Sequence, residues 1–266
     1  MKSFFSSFFA ALLAILVFSI GGVMLLIGFA AAFSSDVEVT VPTNAVLVID
    51  LNDNFTEKEV SDPFTELMNP GTGKIPSLTS VIGLIQHAKK DSNIKGIYIK
   101  CQQNSNGYAS SEELRKALVD FKKSNKFIFA YGETISQKGY WVGNVANQIY
   151  THPQGGIEFS GFSLETIFLK GMLDKLDVQM QVFYAGKFKS ATEPFRYTKM
   201  SDANKQQTGV WLNGLYDHFI NSVASARQIA PEKLKALVNE AKIQSAQDAL
   251  SNGLVDGLIY DDQLKK

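Results

Sequence analysis

The chain is predicted to be an α/β protein with a parallel sheet, preceded by a transmembrane helix and carrying appended helices. Three observations lead there. Apolar runs rich in β-branched and aromatic residues recur at Val46–Leu51, Ile94–Ile99 and Phe127–Tyr131. Segments with helical spacing separate them, and strand–helix–strand alternation implies parallel strands joined by right-handed crossovers. Residues 3–35 contain no charged side chain.

From Phe4 to Phe33 the chain is almost wholly Phe, Ala, Leu, Ile, Val and Gly. About 20 such residues cross a bilayer. A cleaved signal peptide competes with this reading, because Ala30-Ala31-Ala32 supplies small residues of the kind cleavage sites use. The apolar region of a signal peptide runs only about 7–15 residues, so length favours an uncleaved anchor over residues 1–35, with residues 36–266 as one domain. Lys2 and the α-amino group are the only positive charges before the apolar run. They weakly favour an N-terminus inside and the rest outside the cytoplasm, as in a single-pass protein of the bacterial inner membrane facing the periplasm.

Past a polar linker, Val46–Leu51 reads as a buried strand, and Asn52–Gly73, rich in Asn, Asp, Pro and Gly, as a long loop. Pro76-Ser77-Leu78 opens a helix with Val81, Ile82, Leu84, Ile85 and Ala88 on its apolar side, and Lys89-Lys90 close it in agreement with the helix dipole. After the strand Ile94–Ile99, Ser110-Ser111-Glu112-Glu113 caps a helix running through Leu114, Leu118 and Phe121. The strand Phe127–Tyr131 leads to a helix over Gly139–Asn147 and a short strand at Gln148–Thr151. A helix over Leu164–Leu176 and a strand over Val178–Tyr184 follow. Ser201–Arg227 then repeats Val210, Trp211, Leu215, Phe219, Val223 and Ala226 at near-helical spacing, and Pro231–Ala241 continues the pattern as helix-bundle core.

Composition narrows function. Acidic and basic residues balance at 26 each, which leaves no field to attract nucleic acid. Cys101 is the single cysteine, so no internal disulfide and no Cys-based metal site can form; it reads as a small buried residue after a strand. His87, His152 and His218 are scattered without metal-ligand spacing, and neither Gly71-Thr72-Gly73 nor Gly155-Gly156 is followed by the Lys-Ser/Thr of a phosphate loop. No cofactor and no metal are expected.

The segment richest in chemistry is Gly186-Lys187-Phe188-Lys189-Ser190-Ala191-Thr192-Glu193-Pro194-Phe195. A lysine acts as a general base only when desolvation or a neighbouring cation makes it shed a proton near neutral pH. Lys189 follows the apolar run Val182–Ala185 through a glycine turn, with Lys187 two residues earlier. On spacing alone, a lysine after a strand is usually an ordinary solvated one.

The wider match is more specific. This segment resembles the catalytic-lysine segment of the signal peptide peptidase A (protease IV) family, membrane-bound serine proteases with a Ser-Lys dyad. The resemblance extends through Tyr140-Trp141, Ala146–Tyr150, Pro153–Gly156, Gly161-Phe162, Leu173–Leu176 and Ala249–Gly257. It implies a Clp protease/crotonase-type fold, Lys189 as general base, and signal peptides left in the membrane as substrates. In the family's long form two similar domains follow one another, the first bearing the lysine and the second the serine. This chain is similar to the first. A serine-bearing second domain and a bowl-like homo-oligomer are therefore implied as partners.

Two departures bear on activity. The family's nucleophile stands three residues before a Tyr-Trp pair; here that position is Gln137, and Ser136, displaced by about 100 degrees around a helix, reads as a cap. The family's Ser-Pro-Gly-Gly oxyanion turn is replaced by Cys101–Gly107, with one glycine and no proline. Glu193 could pair with Lys189 across one helical turn and oppose its deprotonation. Its place before Pro194 suggests instead that Glu193-Pro194-Phe195 supports the lysine loop. Two readings follow: the lysine-bearing half of a two-domain peptidase, or a membrane-anchored pseudoprotease acting as a scaffold.

Overall fold

The computed structural model describes residues 2–33, 41–58 and 75–264. The chain divides into two compact units, residues 1–42 and 43–266. In the first, helix α1 (Lys2–Phe33) includes the stretch Ser3–Gly28, apolar and long enough to cross a membrane. Its 26 residues rise about 39 Å, against a hydrocarbon core about 30 Å thick.

The second unit is built on five parallel strands that follow one another in chain order: β1 (Ala45–Asp50), β2 (Ile94–Lys100), β3 (Phe127–Ile135), β4 (Gln148–Ile157) and β5 (Gly257–Leu258). The alternation of strand and helix thus produces the expected α/β architecture. Register sets Leu47 beside Ile97 and Ile128, and Ile49 beside Ile99, Ala130 and Ile149. Their face is covered by α2 (Leu78–Lys90) through Val81, Ile85 and Ala88, and by α3 (Tyr108–Phe121) through Leu114, Leu118 and Phe121, all buried. Each such large side chain contributes about 1.5–3 kcal/mol by leaving water.

The opposite face is aromatic and half-covered. Tyr98 lies beside Phe129, Phe127 stacks on Phe129 at 4.7 Å between ring centroids, and Tyr150 meets Phe129 edge-on. A short C-terminal turn, α10 (Asp261–Leu264), approaches this face, where Asp261 accepts a 3.3 Å hydrogen bond from the Tyr98 hydroxyl. Because β1 is an edge strand, Val46 and Val48 are exposed. The expectation of a buried strand over Val46–Leu51 is corrected there.

Other differences have local causes. Ser77 caps α2 as expected, accepting from Ser80 N, but Leu84 turns to solvent. Helix α3 starts at Tyr108, not near Ser110, because Ser111 is drawn inward as acceptor from the Asn104 amide. Helix α4 (Gln137–Gly143) starts two residues earlier and ends sooner than expected, while β3 and β4 run longer. Of the expected loop 52–73, residues 59–73 lie outside the described residues, as does Gly71-Thr72-Gly73.

The largest difference falls before the lysine segment. The expected helix over 164–176 contracts to α5 (Lys170–Lys175), and no strand forms over 178–184. Those residues have no regular secondary structure; Val178 N donates back to Leu173 O at 2.9 Å, and Phe183 is 93% accessible. An alternating apolar segment needs a neighbouring edge to become a strand. None of the five strands pairs with this segment.

The C-terminal helices are α6 (Glu193–Arg196), α7 (Asp202–Arg227), α8 (Pro231–Asn239) and α9 (Ala246–Ser251). Ser201 caps α7 by accepting from Asn204 N. Only the second half of the α7 stripe is core: Phe219, Ile220 and Val223 are buried, whereas Val210 and Trp211 project into solvent. Arg115 joins three helices, donating to Trp141 O at 3.1 Å, Asn144 Oδ1 at 2.9 Å and Ser222 O at 3.1 Å.

Candidate catalytic site

At the carboxyl ends of β2 and β3, loop 101–107 meets the N-terminus of α4. Ser136 N donates to Gln102 O at 2.9 Å, and Ser136 Oγ accepts from Gly139 N at 3.2 Å. Ser136 is therefore the helix cap its position suggested. Gln137, in the nucleophile position relative to Tyr140-Trp141, is buried and tied to the loop after β4. Its Oε1 accepts from Ser160 N (3.1 Å) and Gly161 N (2.9 Å), and its Nε2 donates to Gly161 O (2.8 Å). Tyr140 is wholly buried and donates to Leu254 O at 2.8 Å.

Loop 101–107 is equally committed to structure. The backbone N–H groups of Cys101, Ser105 and Asn106 donate to Tyr131 O, Leu51 O and Asn104 Oδ1. Asn106 Nδ2 reaches Leu51 O, Asp53 O and Asn104 Oδ1, while its Oδ1 accepts from Phe55 N at 2.8 Å. These three amides are therefore not available to a developing oxyanion. Cys101 is buried as expected, and burial pushes its thiol up to about 12. Beside Gln137, desolvation lowers the Lys138 ammonium below its ordinary value; its Nζ lies 5.9 Å from the Tyr108 ring centroid.

Lys189 stands elsewhere, at the tip of a turn. Gly186 enters it at φ +96°, and a short 3-10 turn over Ser190–Thr192 carries the chain into α6. Lys189 is exposed, and among the described residues its side chain meets neither Ser136 nor Gln137 and makes no hydrogen bond or ion pair. The burial expected for a general base is not supplied by this chain: Val182–Ala185 do not pack over the lysine, because that segment is itself unpaired. Lys187 lies against Phe188, its Nζ 5.8 Å from the ring centroid.

Glu193 does not turn to Lys189. Its carboxylate, 3% accessible, accepts from Ser201 N (3.1 Å), Ser201 Oγ (2.5 Å) and Asn204 Nδ2 (2.9 Å), so it holds the N-terminus of α7. Pro194 O accepts from Leu169 N at 2.8 Å, which fastens the preceding segment to the same junction. Desolvation alone would raise the Glu193 carboxyl, but the bonds from Ser201 and Asn204 and the charge of Arg196 outweigh it and hold the group below its ordinary value. A depressed carboxyl stabilises the fold above its unfolded pKa of about 4.3 and loses that contribution as pH falls through the lower folded value. Glu193→Gln is expected to cost about 1–2 kcal/mol at pH 7. Thermal melts should show the gap between wild type and variant closing as the pH drops below about 4. An equal gap at pH 7 and pH 3 would contradict this.

The three histidines do not converge. His87 faces Asp91 at 3.4 Å, His152 Nδ1 accepts from Gln154 N, and His218 pairs with Glu112 at 3.0 Å. Among the described residues no group of three or more His, Cys, Asp or Glu could hold a metal ion. Sequence reasoning missed Asn104 and Asn106, although Asn104-Ser105-Asn106-Gly107 carries the signature of side chains that hydrogen-bond nearby backbone. It also missed Arg196, whose guanidinium stacks on Tyr184 and whose Nε donates to Thr192 Oγ1, and for which the sequence offers no local signal.

Comparison with known proteins gives the geometry its context. The sequence model of peptidase family S49 matches residues 120–266. Protease 4 of Salmonella typhi is 34% identical over 198 residues, 71% of this chain and 32% of that protein. The chloroplastic serine protease SPPA of Arabidopsis thaliana is 27% identical over 208 residues, 77% of this chain and 30% of that protein. Protease 4 of Haemophilus influenzae is 29% identical over 215 residues, 76% of this chain and 35% of that protein. The chain thus spans about a third of the length of these relatives. Among solved structures, a mutant of the membrane-bound stomatin-specific protease 1510-N aligns over 84% of this chain and 83% of its own, with 11% identity and a TM-score of 0.42.

Proposed function

The chain belongs to peptidase family S49, and on that premise we propose that it is the lysine-bearing half of a membrane-anchored serine endopeptidase. Lys189 is the general base of a Ser-Lys dyad, and a second, serine-bearing domain supplies the nucleophile, the oxyanion donors and the desolvation that Lys189 lacks here. Signal peptides left in the membrane are the substrates. Helix α1 anchors the domain in the bacterial inner membrane with its bulk on the periplasmic side, within a homo-oligomer.

The observation that carries this reading is the contrast between the two corners. Gln137, the Asn104 and Asn106 side chains and the amides of Cys101, Ser105 and Asn106 are tied into the fold, while Lys189 is held out on a turn among exposed apolar side chains: Phe183, Tyr184, Phe188 and Tyr197. A lone base has nothing to activate. The same bonds of Gln137 favour the scaffold reading in one respect, since they give that residue a purely structural job.

A fluorogenic peptide assay separates them. The purified full chain is expected to show no turnover, and to gain it when a serine-bearing domain of the family is supplied in cis or in trans. Turnover by the chain alone that disappears in Ser136→Ala would place the nucleophile in this chain. Failure of every serine-bearing domain to restore turnover would favour the scaffold.

A further inference from the structure

Lys189 is flanked by two chain segments that would separate freely if nothing joined them: the unpaired run 178–185 before it and the turn 190–192 after it. One side chain joins both. The Arg196 guanidinium carbon sits 3.7 Å from the centroid of the Tyr184 ring, on the incoming side, and Arg196 Nε donates to Thr192 Oγ1 at 3.1 Å, on the outgoing side. The second face of the contact is the Tyr197 ring, 4.8 Å from the guanidinium carbon, with Nη1 3.4 Å from the Tyr197 hydroxyl. Arg196 itself is the last residue of α6, whose first residue Glu193 is bound to the start of α7.

We propose that Arg196 is a positioning residue for Lys189: it clasps Tyr184 to Thr192 and so sets the lysine turn before a serine-bearing partner arrives. The proposal rests on the reading of Lys189 as the base. The chemistry of the clasp is specific to arginine. A planar guanidinium can stack flat on a ring while its Nε–H, lying in the guanidinium plane, points sideways toward a hydroxyl; an ammonium offers a point charge and cannot do both. Positioning matters because a base displaced by about 1 Å loses on the order of 10²-fold in rate even when all its atoms are present. Without the clasp, the turn is held on its far side by the Glu193 junction and on its near side only upstream, where Leu169 N donates to Pro194 O and Val178 N to Leu173 O, and residues 179–185 enter it through Gly186, where φ is positive.

The first measurement is the backbone heteronuclear 15N NOE of residues 187–191 in the full chain in detergent micelles. It is expected to be high in the wild type and low in Arg196→Gln, Arg196→Lys and Tyr184→Leu, with resonances of β2, β3 and the buried half of α7 unchanged, which shows that the fold persists. The second is peptide hydrolysis with the serine-bearing domain supplied. Arg196→Gln and Tyr184→Leu are expected to lower kcat by about 10- to 100-fold with KM nearly constant. Arg196→Lys is expected not to rescue it. An unchanged NOE in Arg196→Gln, or a lowered NOE with unchanged kcat, overturns the clasp. Full activity in Lys189→Ala overturns instead the assignment of the base on which the clasp rests.

Discussion

In the assembled peptidase, Lys189→Ala is expected to lower kcat by about 10²–10⁴-fold, the range a positioned general base supplies, with KM little altered. A residue that acts by taking a proton in the transition state contributes little to holding substrate, so the loss appears in kcat and kcat/KM together. Lys187→Ala is the control: Lys187 is as exposed as Lys189 and lies two residues away, but its ammonium rests against Phe188. It should retain activity within a few-fold. Equal losses in both variants would mean that the turn contributes charge, not a base. No loss in Lys189→Ala would return the chain to the scaffold reading.

The second large effect concerns stability. A methyl group on Gly139 would collide with the carbonyl oxygen of Cys101, a backbone atom that the β2–β3 pairing holds in place, and would crowd Ser136 Oγ at 3.1 Å. Helix α4 would have to lift from the sheet and pull Gln137 away from residues 160–161. Gly139→Ala is therefore expected to destabilise by about 3 kcal/mol, at the upper end for overpacking, and to lower Tm by about 6–12 °C. Gly214→Ala, on the exposed part of α7 with nothing within 4 Å of the added methyl, should instead leave Tm unchanged or slightly raised. Calorimetry on the two variants checks both signs, and a stable Gly139→Ala protein would mean that α4 approaches β2 less closely than described.

How far the sequence alone reached depended on where each residue finds its partners. The core strands and α2 were legible because their signals are local: β-branched runs, a Ser77 cap, apolar positions every three or four residues. Ser136 was legible for the same reason, as a cap bonded three residues on. Gln137 could be recognised as out of place for a nucleophile, but not as a fastening, since its three bonds go to Ser160 and Gly161, more than 20 residues away. The exposure of Val46 and Val48 follows from β1 being an edge, which is a property of strand order and not of the strand itself. The segment 178–184 was misjudged because alternation of Val178, Met180, Val182 and Tyr184 is a necessary pattern for a strand and not a sufficient one. The motif singled out Lys189, and its expected burial failed with that strand.

The unpaired run 178–185 has a cellular consequence. The run joins no strand and exposes Val178, Met180, Phe183 and Tyr184, an apolar surface open to other chains, so each copy synthesised without something to cover it is a candidate for self-association or for capture by chaperones and proteases. Abundance in the cell would then follow the supply of the covering surface rather than the rate of synthesis. If α1 anchors the chain as proposed, confining copies to a plane would sharpen that dependence by raising the frequency of their encounters.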